Sequence, residues 1–112
     1  MQIQVNSGEI HVTKPIDDMV RGEVETALDL YRERITRVEV HLHDLNGREK
    51  AGMDKRCVME ARPAGMHPIA VNFTAGSFGE AVTGAAGKLE RAVRHQLERN
   101  ADRPGAGRPH GT

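Results

Sequence analysis

The sequence predicts an α+β fold in the order β-α-β-β-β-α, with a four-stranded sheet and two helices packed on one face. Two segments, near residues 14–34 and 78–100, place apolar residues at helical spacing. Short segments before, between and after them alternate apolar and polar residues, as half-buried strands do. A chain of 112 residues is long enough for one core. Placing both helices on the same sheet face is the simplest way to bury both apolar stripes there.

The N-terminal elements are a short strand and an amphipathic helix. Residues 1–6 alternate, and Ile3 is one of the apolar side chains on the inward side of this strand. Thr13 can cap the helix that follows, and Asp17 lies in its first turn, where free N–H groups favour negative charge. Because the apolar spacing continues to Ile35, we predict a helix that runs to about Arg34.

Three further strands are predicted in the middle of the chain. Their inward positions are Val38, Val40 and Leu42, then Cys57, Met59 and Ala61, then Ile69, Val71 and Phe73. Residues 44–54 contain Asn46-Gly47 and predict a long hairpin loop, and residues 63–68 predict a second turn. The alternating partners of the inward positions are mostly polar, so the other sheet face is predicted to be open to solvent.

The last helix is predicted from about Phe78 to Asn100, and Ser77 with Glu80 matches a capping box at its start. Three glycines lie in its first half, namely Gly79, Gly84 and Gly87. Each costs about 1 kcal/mol relative to alanine in an exposed helix interior, and close packing against the sheet would offset that cost. Residues 101–112 carry no apolar side chain larger than alanine, so we predict a domain over residues 1–100 and a disordered tail.

Composition limits the class of protein. Lysine plus arginine and aspartate plus glutamate each number 16, and the single cysteine excludes an internal disulfide and fits a reducing compartment. No apolar run reaches the length of a membrane span and no signal peptide is recognisable, so a soluble cytoplasmic protein is expected. The sequence shows no catalytic triad, phosphate-binding glycine loop or paired catalytic carboxylates. We therefore expect neither an enzyme nor a cofactor or small-molecule substrate.

The distribution of charge is more informative than its total. From residue 88 to the C-terminus there are six basic and three acidic side chains. At about 100° per residue, Lys88, Arg91, His95 and Arg99 fall within an arc of roughly 80°, nearly opposite the apolar stripe of the last helix. A rigid row of cations about one turn apart can follow a phosphate backbone. An ordinary solvated helix face is the competing interpretation, and Glu98 at the edge of the row favours it.

Two other groups of residues invite a functional interpretation. Lys55 and Arg56 end a basic loop segment, residues 48–56. Such a loop can contact phosphates, although most basic loops are simply solvated and bind nothing. His41 and His43 project from one strand face at the spacing of two metal ligands. No third ligand has a matching spacing, so a polar sheet face is the preferred interpretation and no metal is predicted. Cys57 alternates with core positions, where thiols are usually inert.

Three stretches of the sequence are characteristic when taken together: Arg37-Val38-Glu39-Val40-His41-Leu42, the run from Asp54 to Gly65, and Lys88-Leu89-Glu90-Arg91-Ala92. These stretches resemble the ribosome hibernation-promoting and ribosome-associated inhibitor proteins, once described as sigma-factor modulators. Together with the predicted order of elements, the resemblance covers about residues 1–100. It implies a fold similar to double-stranded RNA-binding domains and binding near the decoding region of the small ribosomal subunit. There the domain would contact ribosomal RNA and inhibit translation under stress or in stationary phase.

The resemblance also assigns roles to residues. Carried over by position, the RNA-binding side chains are Lys88 and Arg91, continued by His95 and Arg99. Arg94 flanks the row, and Lys55 and Arg56 are weaker candidates. Two departures stand out. The first helix is acidic where some relatives are basic. Because few residues follow the last helix, we also do not expect the extra C-terminal domain of long members.

Two alternatives remain open at this point. The first is a generic double-stranded RNA-binding or stress module that does not prefer ribosomes. The second is a metal-binding or protein-interaction domain that acts through His41 and His43 on the open sheet face.

Overall fold

The computed structural model describes residues 1–8, 10–46 and 52–102, and the side chains of residues 1–8, 10–46 and 52–99. The elements are β1 (Gln2–Asn6), α1 (Lys14–Ala27), β2 (Ile35–Asp44), β3 (Lys55–Pro63), β4 (Ile69–Ala75) and α2 (Phe78–Asp102), with a short 3₁₀ helix at Asp29–Tyr31. The predicted β-α-β-β-β-α order is confirmed. Residues 101 and 102, which were predicted to belong to the tail, still lie in α2. The rest of the predicted 101–112 tail and residues 47–51 of the predicted 44–54 loop lie outside the described residues.

The four strands form one sheet in the order β1-β2-β3-β4. β1 pairs with β2 in parallel, and the other two pairings are antiparallel. Across the sheet, Leu42 lies opposite Cys57, and Cys57 lies opposite Phe73, so these side chains share the face that carries the helices. The predicted inward positions of β2 and β3 are all buried, whereas Ile69 and Val71 on the edge strand β4 are only partly buried.

The end of α1 differs from the prediction of a helix to about Arg34. The last α-helical bond runs from the Leu28 N–H to the Val24 carbonyl, and the Tyr31 N–H then bonds to Leu28 in the 3₁₀ helix. Ile35, which extended the helical spacing in the sequence, is instead buried in β2 and pairs with Pro63. Pairing within the sheet therefore overrides the local helical pattern.

Both predicted N-terminal caps are present. The Thr13 hydroxyl accepts a 3.4 Å hydrogen bond from the Ile16 N–H. At the start of α2, the Ser77 hydroxyl accepts a 3.1 Å bond from the Glu80 N–H and donates to the Glu80 carboxylate at 3.3 Å. Each cap satisfies an N–H group that has no partner inside its helix.

A cationic side chain covers a backbone carbonyl on each edge strand. The Arg21 guanidinium of α1 donates to the Ile3 carbonyl of β1 at 2.8 Å. On the other edge, the Lys88 ammonium of α2 donates to the Asn72 carbonyl of β4 at 2.9 Å. Unpaired groups on a sheet edge invite pairing with another chain, and charged side chains at an edge oppose it. Each helix therefore protects the edge next to it.

The glycines of α2 serve different purposes. A Cβ atom on Gly84 would lie 2.3 Å from Cδ2 of Phe73, so only glycine lets this aromatic ring approach the helix. A Cβ on Gly79 or Gly87 would meet no atom closer than 3.6 Å. The expectation of close packing between helix and sheet is therefore confirmed at Gly84 and wrong at the other two positions.

Candidate nucleic-acid interface

The two sides of α2 have opposite environments. Its apolar side, which includes Val82, Leu89 and Val93, is fully buried against the sheet and α1. The predicted row of Lys88, Arg91, His95 and Arg99 is exposed along the helix. We call these four residues the basic row. Because the buried side chains fix the rotation of α2, the basic row is held facing solvent.

Lys88 is tied to the sheet. Its ammonium donates to the Asn72 carbonyl, so one end of the basic row lies directly beside the edge of β4. The partner is a neutral backbone group, so the positive charge of Lys88 is not cancelled. An ammonium has three donors, and the two others stay available to an anion.

Arg91 and His95 extend outward from the middle of the row. Within the described residues, neither side chain has a hydrogen bond or an ion pair. Arg99 donates to the side-chain oxygen of Gln96 at 2.6 Å, again a neutral partner. The row therefore presents positive charge that no carboxylate of the described residues neutralises through an ion pair.

Arg94 has another environment. Its guanidinium donates to both carboxylate oxygens of Glu90 at 3.1 and 3.0 Å. Glu90 also accepts a 3.4 Å bond from the hydroxyl of Tyr31, which follows α1. Partial burial and the neighbouring Glu90 carboxylate together raise the pKa of Tyr31. These contacts join the end of α1 to α2 and engage Arg94 away from the basic row.

Lys55 and Arg56 are not loop residues, since they begin β3. The Lys55 ammonium lies 2.9 Å from Asp54 and 3.4 Å from Asp44, and the hydrogen bond to Asp54 is the main reason that the pKa of Lys55 is raised. Its ammonium also lies 6.0 Å from the ring of Phe78, at the start of α2, about three helical turns before Lys88. The structure therefore does not bring Lys55 together with the basic row.

Arg56 points to the open face of the sheet, where its Nε donates to the hydroxyl of Thr74 at 3.1 Å. That face also holds charged side chains that we did not single out from the sequence as site residues, Arg37 and Arg62 beside Glu39 and Glu60. Arg62 lies 3.0 Å from Glu60 and 3.9 Å from Glu39, and Arg37 is hydrogen-bonded to Glu39. These four residues alternate with buried positions in β2 and β3, and this alternation is the sequence pattern that could have identified them as residues of the open face.

The charges of the open face largely neutralise one another. Partial burial opposes the charge of Glu39, yet Arg37 and Arg62 together hold the pKa of this carboxyl below its usual value. His41 and His43 lie on the same face, and His41 Nε2 is 3.7 Å from a Glu39 oxygen. In the part of the chain that the structure describes, no group of three or more His, Cys, Asp or Glu side chains is placed to hold a metal ion.

Cys57 lies in the core, as its alternation predicted. It is fully buried, and burial raises the pKa of its thiol to about 12. A thiol with such a pKa carries almost no thiolate at neutral pH and is a poor nucleophile. None of the helices in the described ranges combines the length and apolarity needed to cross a bilayer.

Comparison with known proteins places this fold and sequence in context. A family model described as "Sigma 54 modulation protein / S30EA ribosomal protein" matches residues 3–101. A ribosomal subunit interface protein from Coxiella burnetii superposes with a TM-score of 0.70 at 13% identity, over 87% of this chain and 99% of that one. The N-terminal domain of Thermus thermophilus Protein Y gives a TM-score of 0.69 at 20% identity, over 86% of this chain and 99% of that domain. No curated protein sequence matches this chain significantly.

Proposed function

Because the chain belongs to the Sigma 54 modulation protein / S30EA ribosomal protein family, we propose that it binds the small ribosomal subunit and inhibits translation. The binding site would lie near the decoding region, with the basic row of α2 against ribosomal RNA. The observation that carries this proposal is the exposed basic row, whose cations have no carboxylate partner among the described residues. A structural relative bears the name of a ribosomal subunit interface protein, which agrees with such a partner.

The geometry of α2 suits a polyanion. Lys88, Arg91, His95 and Arg99 are spaced three, four and four residues apart, so successive side chains are about 4.5 to 6 Å apart along the helix axis. This spacing is close to the distance between neighbouring phosphates in a nucleic acid strand. Cations that neutralise phosphates release bound counterions, so the affinity should fall steeply as salt concentration rises.

The proposed inhibition is steric and requires no covalent chemistry. A rigid domain that occupies the decoding region would compete with messenger and transfer RNA for the same space. The only thiol is buried with its pKa near 12, which agrees with a non-enzymatic role. Such a protein would act in the cytoplasm in stationary phase or under stress.

Co-sedimentation with purified small subunits at several salt concentrations tests the proposal. The double variant Lys88→Glu/Arg91→Glu should bind at least about tenfold more weakly and show a shallower salt dependence, because two phosphate contacts are lost. The matched control is Lys14→Glu/Arg32→Glu, which makes the same change of charge beside acidic residues of α1 and of the 3₁₀ helix and should bind like the wild type. Equal binding by both double variants and the wild type would exclude the proposed surface.

Inhibition of translation has to be measured separately from binding. In a cell-free translation reaction the wild-type protein should lower protein synthesis, and added Lys88→Glu/Arg91→Glu should not. Competition with a plain RNA duplex separates the proposal from a generic RNA-binding module. A duplex that competes as well as small subunits do would favour the generic module.

A further inference from the structure

Phe73 is an aromatic side chain at an unusual place, the edge of the sheet beside α2. It lies on β4 opposite Cys57, on the side of the sheet that carries the helices. Unlike its buried neighbour across the sheet, Phe73 remains 38% exposed. The other apolar side chains that β2, β3 and β4 direct to this side of the sheet are buried or pack against the core. An exposed ring at this position therefore contributes only part of its surface to folding.

The ring of Phe73 lies face-on against the helix. A Cβ atom built on Gly84 would lie 2.3, 2.5 and 2.6 Å from the ring atoms Cδ2, Cε2 and Cγ. Three consecutive ring atoms at nearly equal distance mean that the helix approaches the face of the ring. An approach in the plane of the ring would leave Cε2 and Cγ much farther than Cδ2. One face of the ring therefore rests on the backbone at Gly84.

Gly84 brings the ring into line with the basic row. At about 100° per residue, Gly84 lies one turn before Lys88 and roughly 40° from it around the helix. The Lys88 ammonium is bound to the carbonyl of Asn72, the residue before Phe73 in β4. Along α2, this surface therefore consists of one aromatic ring followed by the four side chains of the basic row.

We infer that Phe73 is a stacking platform for an unpaired nucleotide of the RNA whose backbone follows the basic row; this inference rests on the function proposed above. A flat exposed ring stacks on any base, whereas a row of basic side chains mainly binds the phosphate backbone. The platform is preorganised, because the backbone at Gly84 supports one face of the ring and leaves the opposite face for a base. The preferred ligand is then a strand with a splayed base at the β4 end of the row, and a fully paired duplex offers no such base.

The test uses the full chain and two RNA duplexes formed from separate strands, one fully paired and one with a single unpaired 2-aminopurine. The wild type should bind the second duplex more tightly and change its 2-aminopurine fluorescence. Phe73→Leu keeps an apolar side chain of similar size but no ring. It should lose the fluorescence change and weaken binding roughly tenfold, in line with the about 1–3 kcal/mol that such stacking contributes. Phe73→Tyr keeps the ring and should retain both signals.

Two controls separate stacking from a general loss of structure or charge. Phe78→Leu removes an aromatic ring that lies off the basic row and should leave the fluorescence change intact. Arg91→Ala should reduce the salt dependence of binding, while Phe73→Leu should leave the slope unchanged, because stacking releases no counterions. Thermal unfolding of each variant confirms that the protein is folded.

The inference and the proposed function fail in different ways. If Phe73→Leu binds the bulged duplex as tightly as the wild type, or if the wild type does not distinguish the two duplexes, Phe73 is not a platform. Binding of small subunits through the basic row would still stand in either case. If charge reversal of the basic row has no effect on small subunits, the proposed surface fails, and the stacking inference fails with it.

Discussion

The two helices pack on the same face of the sheet, yet they differ in how many of their basic side chains form ion pairs. In α1 and the 3₁₀ helix, basic side chains pair with neighbouring acids: Lys14 with Asp18 at 3.2 Å, Arg21 with Asp17 at 2.8 Å and Arg32 with Asp29 at 3.1 Å. In α2, one arginine pairs in this way, Arg94 with Glu90, and the basic row does not. Residues 14–34 carry six acids and four bases. The face of α1 is therefore neutralised or acidic, while α2 offers a row of free positive charge.

This difference shows how a chain with no net charge can present a surface for a polyanion. Surface ion pairs within one helix contribute little to stability, typically a few tenths of a kcal/mol. Their larger effect here is to cancel the positive charge of α1. Of the two helices, α2 then carries the row of free cations, which places the proposed RNA contact on its side of the molecule.

The largest expected contrast between the helices concerns their glycines. Gly84→Ala would force a Cβ into the ring of Phe73, so we expect about 1–3 kcal/mol of destabilisation, as in other overpacked sites. Gly22→Ala in α1 meets no atom within 4 Å and should stabilise the protein by about 0.5–1 kcal/mol, because alanine favours the helix. Urea unfolding of both variants measures this contrast. A Gly84→Ala variant with unchanged unfolding free energy would show that the ring of Phe73 moves aside freely.

A second contrast lies within the basic row. Arg91 is free of partners among the described residues, whereas Lys88 already donates to the Asn72 carbonyl. A phosphate must share or replace that bond at Lys88, so Arg91→Ala should weaken subunit binding roughly three- to tenfold and Lys88→Ala less. Titrations of each variant with small subunits at low and moderate salt concentrations measure this difference in affinity. A larger loss in Lys88→Ala would mean that the β4 edge orients the lysine for RNA.

The smallest expected contrast concerns the N-terminal caps. Ser77 makes the shorter bond to its helix and also contacts Glu80, while the bond to Thr13 measures 3.4 Å. Ser77→Ala should therefore cost about 1 kcal/mol of unfolding free energy and Thr13→Ala about 0.5 kcal/mol. Urea unfolding resolves such differences if both variants have the same denaturant slope. Equal losses of unfolding free energy would show that the length of the capping hydrogen bond does not predict how much each cap stabilises its helix.

Much of this protein could be predicted from local patterns in its sequence. Period-two alternation identified the strands and which side chains of β2 and β3 face the core, because neighbouring residues of a strand point to opposite faces. The spacing of apolar residues in α2 placed Lys88 and Arg91 on its exposed side, since the period of a helix is fixed. The resemblance to the hibernation-factor family is confirmed by the family match over residues 3–101.

Other features depend on residues far apart in the sequence and appeared only in the tertiary structure. Ile35 fits a helical pattern but belongs to β2, because pairing with Pro63 determines where that strand begins. The contact of Phe73 with Gly84 and the bond from Lys88 to Asn72 join β4 to α2, and no local pattern predicts either. The sequence alone thus determined which side of α2 is basic. Which of its cations are free, and what lies beside them, depended on the packing of that helix against the edge of the sheet.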